Sequence, residues 1–504
     1  MKNLKLIFTI CFSLSAATLV AQSRYYNTTT LGMGGGGTAF IDGYHANFLN
    51  PANLMVNNTS RKPQRSLGLV GGLGFRAGGT FLNLDVYDQY FTKGLTIEGQ
   101  TRVDMLNDWF GEDQNNTRDL ALSLNVIPFG FSNRGNNMSF SLATRVRTIQ
   151  DLTVNKGFME LAFYGFDSQQ FGSEVPVNFN TRTLSFAEIS VGYAMKLPLP
   201  LSGIVEMLPF INGINIYAGI APKYIVGIQS TEMDFISGLT VNPVSGTSSG
   251  GITHDFEYSL YTYGDLSQQL SDYAAARELD PDAELDQFLD YDGSDAGTLG
   301  SGFGVDLGVT AELDVSLPAL GFLGKRQILR VAMSITDLGS VNYDSNPTRI
   351  TASGLVNIDG NIGDKSPGDY FSDLGDSLSN DVYGGFTSES ASARKYELPG
   401  MYNFGAALTL GKLTTTLDYG FGFNDIGTNS KRSALTLGAE YRFLNFIPVR
   451  VGTRMGGYSG AAYSAGFGLD LRFFEFTFAA STVANSANNG SSAAVAWSGL
   501  VFRF

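Results

Sequence analysis

The residues that could carry reaction chemistry are few. His45 and His254 are the only histidines and lie far apart in sequence. Neither falls in an H-E-x-x-H metal-binding helix, and no G-x-S-x-G nucleophile elbow accompanies them. Both therefore read as ordinary hydrogen-bonding residues. The one cysteine, Cys11, sits inside the apolar run Leu6 to Val20, which leaves no disulfide, thiol nucleophile or thiolate metal site once that run is removed. Asp290-Tyr291-Asp292-Gly293-Ser294-Asp295 has oxygen ligands at calcium-loop spacing. Its glycine is misplaced and no Glu closes the loop, so it reads as a solvated acidic loop. The glycine run from Leu31 to Ala39 would suit a phosphate, but no strand precedes it and no Lys-Ser/Thr pair follows. No catalytic group, metal site or cofactor is expected, and the chain reads as a non-enzyme.

A different group of residues is informative by its alternation. Arg145, Arg147, Arg442, Arg450, Arg454 and Arg472, with Glu440 and Asp470, fall on the polar side of segments whose other side is apolar. In Ser139 to Arg147, Phe140, Leu142, Thr144 and Val146 share one face, and Ser141, Ala143, Arg145 and Arg147 share the other. A strand that separates lipid from a polar lumen needs this period of two. The inward charges then form ion-pair ladders that hold a plug or line a channel, and a basic lean would attract a carboxylate headgroup.

The same alternation recurs at Ser66 to Arg76, Thr80 to Val86, Asp119 to Val126, Met138 to Thr148, Thr183 to Met195, Ile214 to Ile228, Gly302 to Asp314 and Gln327 to Asp337. It also runs through most of the last hundred residues. The chain is 43% hydrophobic, 12% aromatic and 16% charged, with 61 glycines; an average soluble protein carries about 25% charge. The most apolar stretch, Tyr193 to Pro222, is broken by Lys196, Pro198, Pro200, Glu206 and Pro209 and cannot be a lipid-facing helix. The last residues, Trp497 to Phe504, place aromatics at Trp497, Phe502 and Phe504 and a glycine at Gly499. This resembles the outer-membrane β-signal that hands barrels to their assembly machinery. Residues 1–21 read as a signal peptide, with Lys2 and Lys5 before the apolar run and Ala21 before Gln22. The net charge of −14 argues against nucleic acid and against anionic headgroups as partners.

Between signal and strands lies a Gly-rich segment, 22–65. Its Leu31-Gly32, Ala39-Phe40-Ile41-Asp42 and Asn50-Pro51-Ala52 resemble the hatch of the fatty-acid-transporter family of outer-membrane barrels, the outer membrane protein P1 and toluene-transporter type. Gly43-Tyr44-His45 departs from that pattern where a second acid is expected. Related barrels that assist type nine secretion share this N-terminal style. Gly302 to Gly308 with Ile335 to Gly339 also resembles an uncharacterised family of Gram-negative outer-membrane barrels.

The fold class expected is all-β, a transmembrane antiparallel barrel of about fourteen strands, within roughly 12–16, spanning 66–504 with a hatch in its lumen. Insertions are expected at about 264–297, partly helical, and at 359–394, a loose loop. The resemblance implies outer-membrane transport of hydrophobic or amphipathic small molecules, long-chain fatty acids among them, to the periplasm. Asp42, Asn50, Pro51 and Ala52 would carry the hatch motif. Expected partners are outer-membrane lipids, the hydrophobic ligand and the barrel-assembly machinery. The alternative is a barrel that serves a secretion or surface-assembly complex through a protein partner.

Overall fold

The computed structural model describes residues 27–58, 65–94, 96–166, 171–200, 202–208, 210–242, 250–279, 287–288, 297–359, 387–426, 429–457, 461–471, 473–483 and 490–504. The expected signal peptide, the acidic run 290–295, Arg472 and most of the loop 359–394 lie outside them.

Among the described residues, fourteen strands close an antiparallel ring. They are β1 (Arg65–Gly79), β2 (Thr117–Arg134), β3 (Met138–Asn155), β4 (Phe179–Lys196), β5 (Ile211–Asn242), β6 (Gly300–Val315), β7 (Gln327–Tyr343), β8 (Met401–Leu410), β9 (Leu413–Gly422), β10 (Ala434–Phe443), β11 (Ile447–Gly456), β12 (Ala462–Asp470), β13 (Glu475–Val483) and β14, which is split into Ser491–Trp497 and Leu500–Arg503. β14 returns to β1, with Leu73 opposite Trp497 and Ser66 opposite Arg503. The C-terminal stretch is thus the closing strand.

The alternation has the sense that lipid demands. On β9, Leu417 and Tyr419 are 46% and 43% exposed, while Thr416 and Asp418 between them are buried. A soluble protein would turn these faces round. The two ends of the ring also differ. Arg65 and Phe504 exchange backbone hydrogen bonds of 3.0 and 3.1 Å, and at that end β2–β3, β8–β9 and β10–β11 are joined by tight turns. At the opposite end the connections 80–116, 156–178, 243–299 and 344–400 are long and carry helices α2 (Gly99–Phe110), α3 (Lys156–Tyr164) and α4 (Gly264–Leu279), α1 being the helix Thr28–Gly32 of the N-terminal segment. In membrane barrels the short turns face the periplasm and the long loops face outward.

Several boundaries differ from the sequence reading. Thr80 to Val86 is no strand: the Asn83 side chain accepts hydrogen bonds from Asp85 N and Val86 N, which caps the short helix Leu84–Val86. β5 runs for 32 residues, far more than the roughly 9–11 a bilayer needs. Its outer half pairs with Gly251–Thr262, which pairs with Thr348–Asp359, so the same sheet continues above the barrel as an outer sheet layer. α4 supplies the helix expected in the first insertion. Within the second, the described residues form the short strands Thr387–Ser390 and Arg394–Glu397.

Candidate functional site: a plugged lumen

Residues 27–58 touch strands around the whole ring and are almost entirely buried. Only the barrel interior gives one short segment that position. α1 opens the segment with a reciprocal cap, Asn27 Oδ1 accepting from Thr30 N at 2.8 Å and Thr30 Oγ1 from Asn27 N at 3.0 Å. Pro51 takes the first position of the 3₁₀ helix Pro51–Met55, where its missing N–H costs nothing, and Asn50 Oδ1 caps it by accepting from Ala52 N at 3.2 Å.

The glycine run serves close approach to the wall rather than phosphate. A Cβ on Gly36 would lie 2.4 Å from Asp418 Oδ2 and 2.7 Å from Thr436 Oγ1. Beside it, Thr38 N donates to Asp418 Oδ1 at 2.8 Å. Asn50 Nδ2 donates to Thr38 O and to Thr310 Oγ1, both at 2.9 Å, so the Asn-Pro turn ties the plug to itself and to β6. Arg326 and Arg330 reach the plug's far end at Asn57 O and Asn58 Oδ1, each at 2.7 Å. Asp42, the one carboxylate in 27–58, pairs with Arg503 of β14 at 3.5 Å, and Arg503 also holds Glu475 at 2.7 Å. The closing strand and the plug are therefore ionically linked.

Above the plug lies a belt of buried charge. Arg145 and Arg147 of β3, Lys223 of β5, Glu188 of β4, Asp306 of β6 and Asp337 of β7 converge on one another. Arg145 Nε bonds Glu188, and its Nη2 lies 3.2 Å from Asp337 Oδ1. Arg147 Nη1 is 2.9 Å from Asp337 Oδ2, and Lys223 Nζ is 2.8 Å from Asp306 Oδ2. Three cations meet three carboxylates, so the belt is neutral as a whole. Of the other expected lumen arginines, Arg442 joins Glu440 and Asp470, and Arg450 Nε reaches Glu440 Oε2 at 2.7 Å. Arg454 is buried on β11. Arg145 with Arg147 and Arg442 with Arg450 thus form two groups, each paired with carboxylates.

Beyond the belt the lumen turns apolar. Ile149, Leu184, Phe186, Ile225, Val341, Tyr343 and Leu398 pack together as an apolar collar along the inner face of β3, β4, β5 and β7. The Arg147 guanidinium carbon lies 5.3 Å from the Phe186 ring centroid and joins belt to collar. The sequence reading did not assign Glu188, Lys223, Asp306 or Asp337, nor the collar. The two histidines are separated: His45 belongs to the plug, and His254 to the outer sheet, where its ring lies 5.4 Å from Phe256 and 6.0 Å from Phe235.

Residues 57–481 match a family described as Family of unknown function (DUF5723). No curated protein matches the chain. Among solved structures, the toluene transporter TodX of P. putida is similar at 10% identity and a TM-score of 0.44, covering 96% of this chain and 98% of that one. The toluene transporter TbuX of Ralstonia pickettii is similar at 12% identity and 0.42, over 96% and 99%. A FadL homologue of Pseudomonas aeruginosa is similar at 11% and 0.41, over 96% and 99%.

Proposed function

Since the chain belongs to the Family of unknown function (DUF5723), we propose from its own lumen that it is an outer-membrane transport barrel. Its cargo would be a hydrophobic or amphipathic small molecule, of the long-chain fatty-acid kind, passed to the periplasm. The apolar collar is the observation that carries this reading. A diffusion porin keeps a polar, water-filled lumen; here, among the described residues, Phe186, Ile225, Val341 and Tyr343 put an apolar layer on the inner face between the belt and the long connections.

The order of layers gives a path. An alkyl chain gains about 0.8 kcal/mol per methylene moved from water into such a collar. A carboxylate headgroup would then meet Arg145 and Arg147, exchanging for Glu188 or Asp337. Below it the plug is held largely by neutral hydrogen bonds, each contributing about 1 kcal/mol net. Movement about Asn50-Pro51 can release them one after another, with no energy source beyond the cargo's gradient.

Proteoliposomes loaded with an oleate-binding fluorescent protein test the proposal. Faster internal capture of oleate than in liposomes without the protein is expected, and an equal rate in the two would sink it.

A further inference from the structure

The net charge of −14 is not spread evenly. Exposed acids crowd the long connections, among them Asp85, Asp88, Glu98, Asp104, Glu112 and Asp113. At the opposite end, where Arg65 meets Phe504, the exposed charges among the described residues are Arg65, Lys196, Lys325 and Lys412 against Glu206 and Asp314. The acidic balance of the whole chain therefore does not describe this end.

That basic rim also carries unusual apolar exposure. Most turns there are tight, but the neighbouring connections 197–210 and 316–326 are long and rich in Leu, Pro and Phe. Met207 and Phe322 are 81% and 82% exposed, and Leu199 and Phe210 about half exposed. The ends of these connections are tied to their neighbours: Ser316 N donates to Phe210 O at 2.7 Å, and Gly411 N to Arg326 O at 2.7 Å. The second bond sets Lys325 and Lys412 in adjoining turns. Upward, the same sector continues into the lipid face of the wall through Val191, Met195, Ile220 and Val309, all exposed.

We propose that this rim is a binding surface for anionic phospholipid of the periplasmic leaflet. Met207, Phe210 and Phe322 insert at the boundary between headgroups and acyl chains, while Lys196, Lys325 and Lys412 hold the phosphate layer. Apolar residues continuous with the lipid face and flanked by lysines are what an interfacial anchor requires. The inference rests on the chain spanning a membrane, not on transport of any cargo.

Native mass spectrometry of the detergent-purified full chain can compare phosphatidylglycerol with phosphatidylcholine. The expected result is tighter phosphatidylglycerol binding that weakens roughly fivefold per lysine in K325Q/K412Q, with phosphatidylcholine unchanged. Equal binding of the two lipids, or no effect of the substitutions, overturns the proposal. A second reading avoids altering the lysines: a fluorophore on F322C, in nanodiscs containing phosphatidylglycerol, is expected to resist an aqueous quencher. Quenching as complete as for free dye overturns it too. Loss of lipid preference in a barrel that still takes up cargo refutes only the rim; intact preference without uptake refutes only transport.

Discussion

The Phe48 ring of the plug lies 4.3 Å, centroid to guanidinium carbon, from Arg145 of the ionic belt. A desolvated cation–π contact of this kind is worth about 2 kcal/mol, and Phe48 also packs in the apolar core that the plug shares with Ile127, Ala143 and Ala194 of the wall. Truncating a buried Phe to Ala costs about 3–5 kcal/mol. In F48A that loss falls on plug docking, because the wall keeps all its strand pairings. Planar-bilayer recordings are expected to show a closed wild type and a flickering F48A, with F48Y close to wild type. A silent F48A that keeps the heat-modifiable mobility of a folded barrel would show that Phe48 does not hold the plug.

The belt is balanced, so taking one charge from it should hurt more than taking two. Glu188 touches Arg145, Arg147 and Lys223. E188Q leaves a net buried cation, which costs about 3–5 kcal/mol when one partner of a buried pair is removed. The double variant R145Q/E188Q restores neutrality and is expected to recover part of the loss. Urea unfolding in detergent, followed by Trp109 and Trp497 fluorescence, reads both. Additive losses in the double variant would mean that the six groups do not act as one unit.

Gly36 predicts a steric outcome. An added methyl would sit 2.4 Å from the Asp418 carboxylate, whose other oxygen accepts from Thr38 N. G36A is expected to unseat this part of the plug and raise conductance while the barrel still folds. G203A, whose added Cβ meets nothing within 4 Å, serves as the control. Equal conductance of the two variants would show that the glycine run is not pressed against the wall.

How far these features could be read from sequence depends on whether alternation survives. It does on β3, where Arg145 and Arg147 point inward as the period of two requires. It fails on β7. Val331 and Met333 face lipid, and continued alternation would put Asp337 beside them. Instead Asp337 adopts a φ of 57° near the register shift against Val305 and Leu307, and the strand changes faces. Asp337, Val341 and Tyr343 then point inward, which completes both belt and collar. A carboxylate on the lipid-facing parity was the available signal. Glu188, Lys223 and Asp306 were hidden for another reason, since each comes from a different strand and only the ring brings them together. The N-terminal segment showed its glycines and its Asn-Pro turn, but not which wall residues they meet. α2 was missed although Met105, Leu106, Trp109 and Phe110 recur at helical spacing; all four are buried.

The outer sheet carries a pH-sensitive group. His254 is buried against Phe235 and Phe256, and burial pushes its imidazole from 6.5 down to about 4. The folded sheet thus resists protonation while the unfolded chain, near 6.5, accepts it. Stability from this residue is complete above about pH 6.5 and declines as pH falls from there towards 4. Hydrogen exchange of Gly251–Thr262 is expected to quicken, relative to the strands of the barrel wall, between pH 6.5 and 4.5. H254F, which keeps a ring of similar shape without the proton site, is expected to remove that difference. If both proteins show the same acid-dependent opening, the loss comes from carboxylates elsewhere in the outer layer and His254 is only a packing residue.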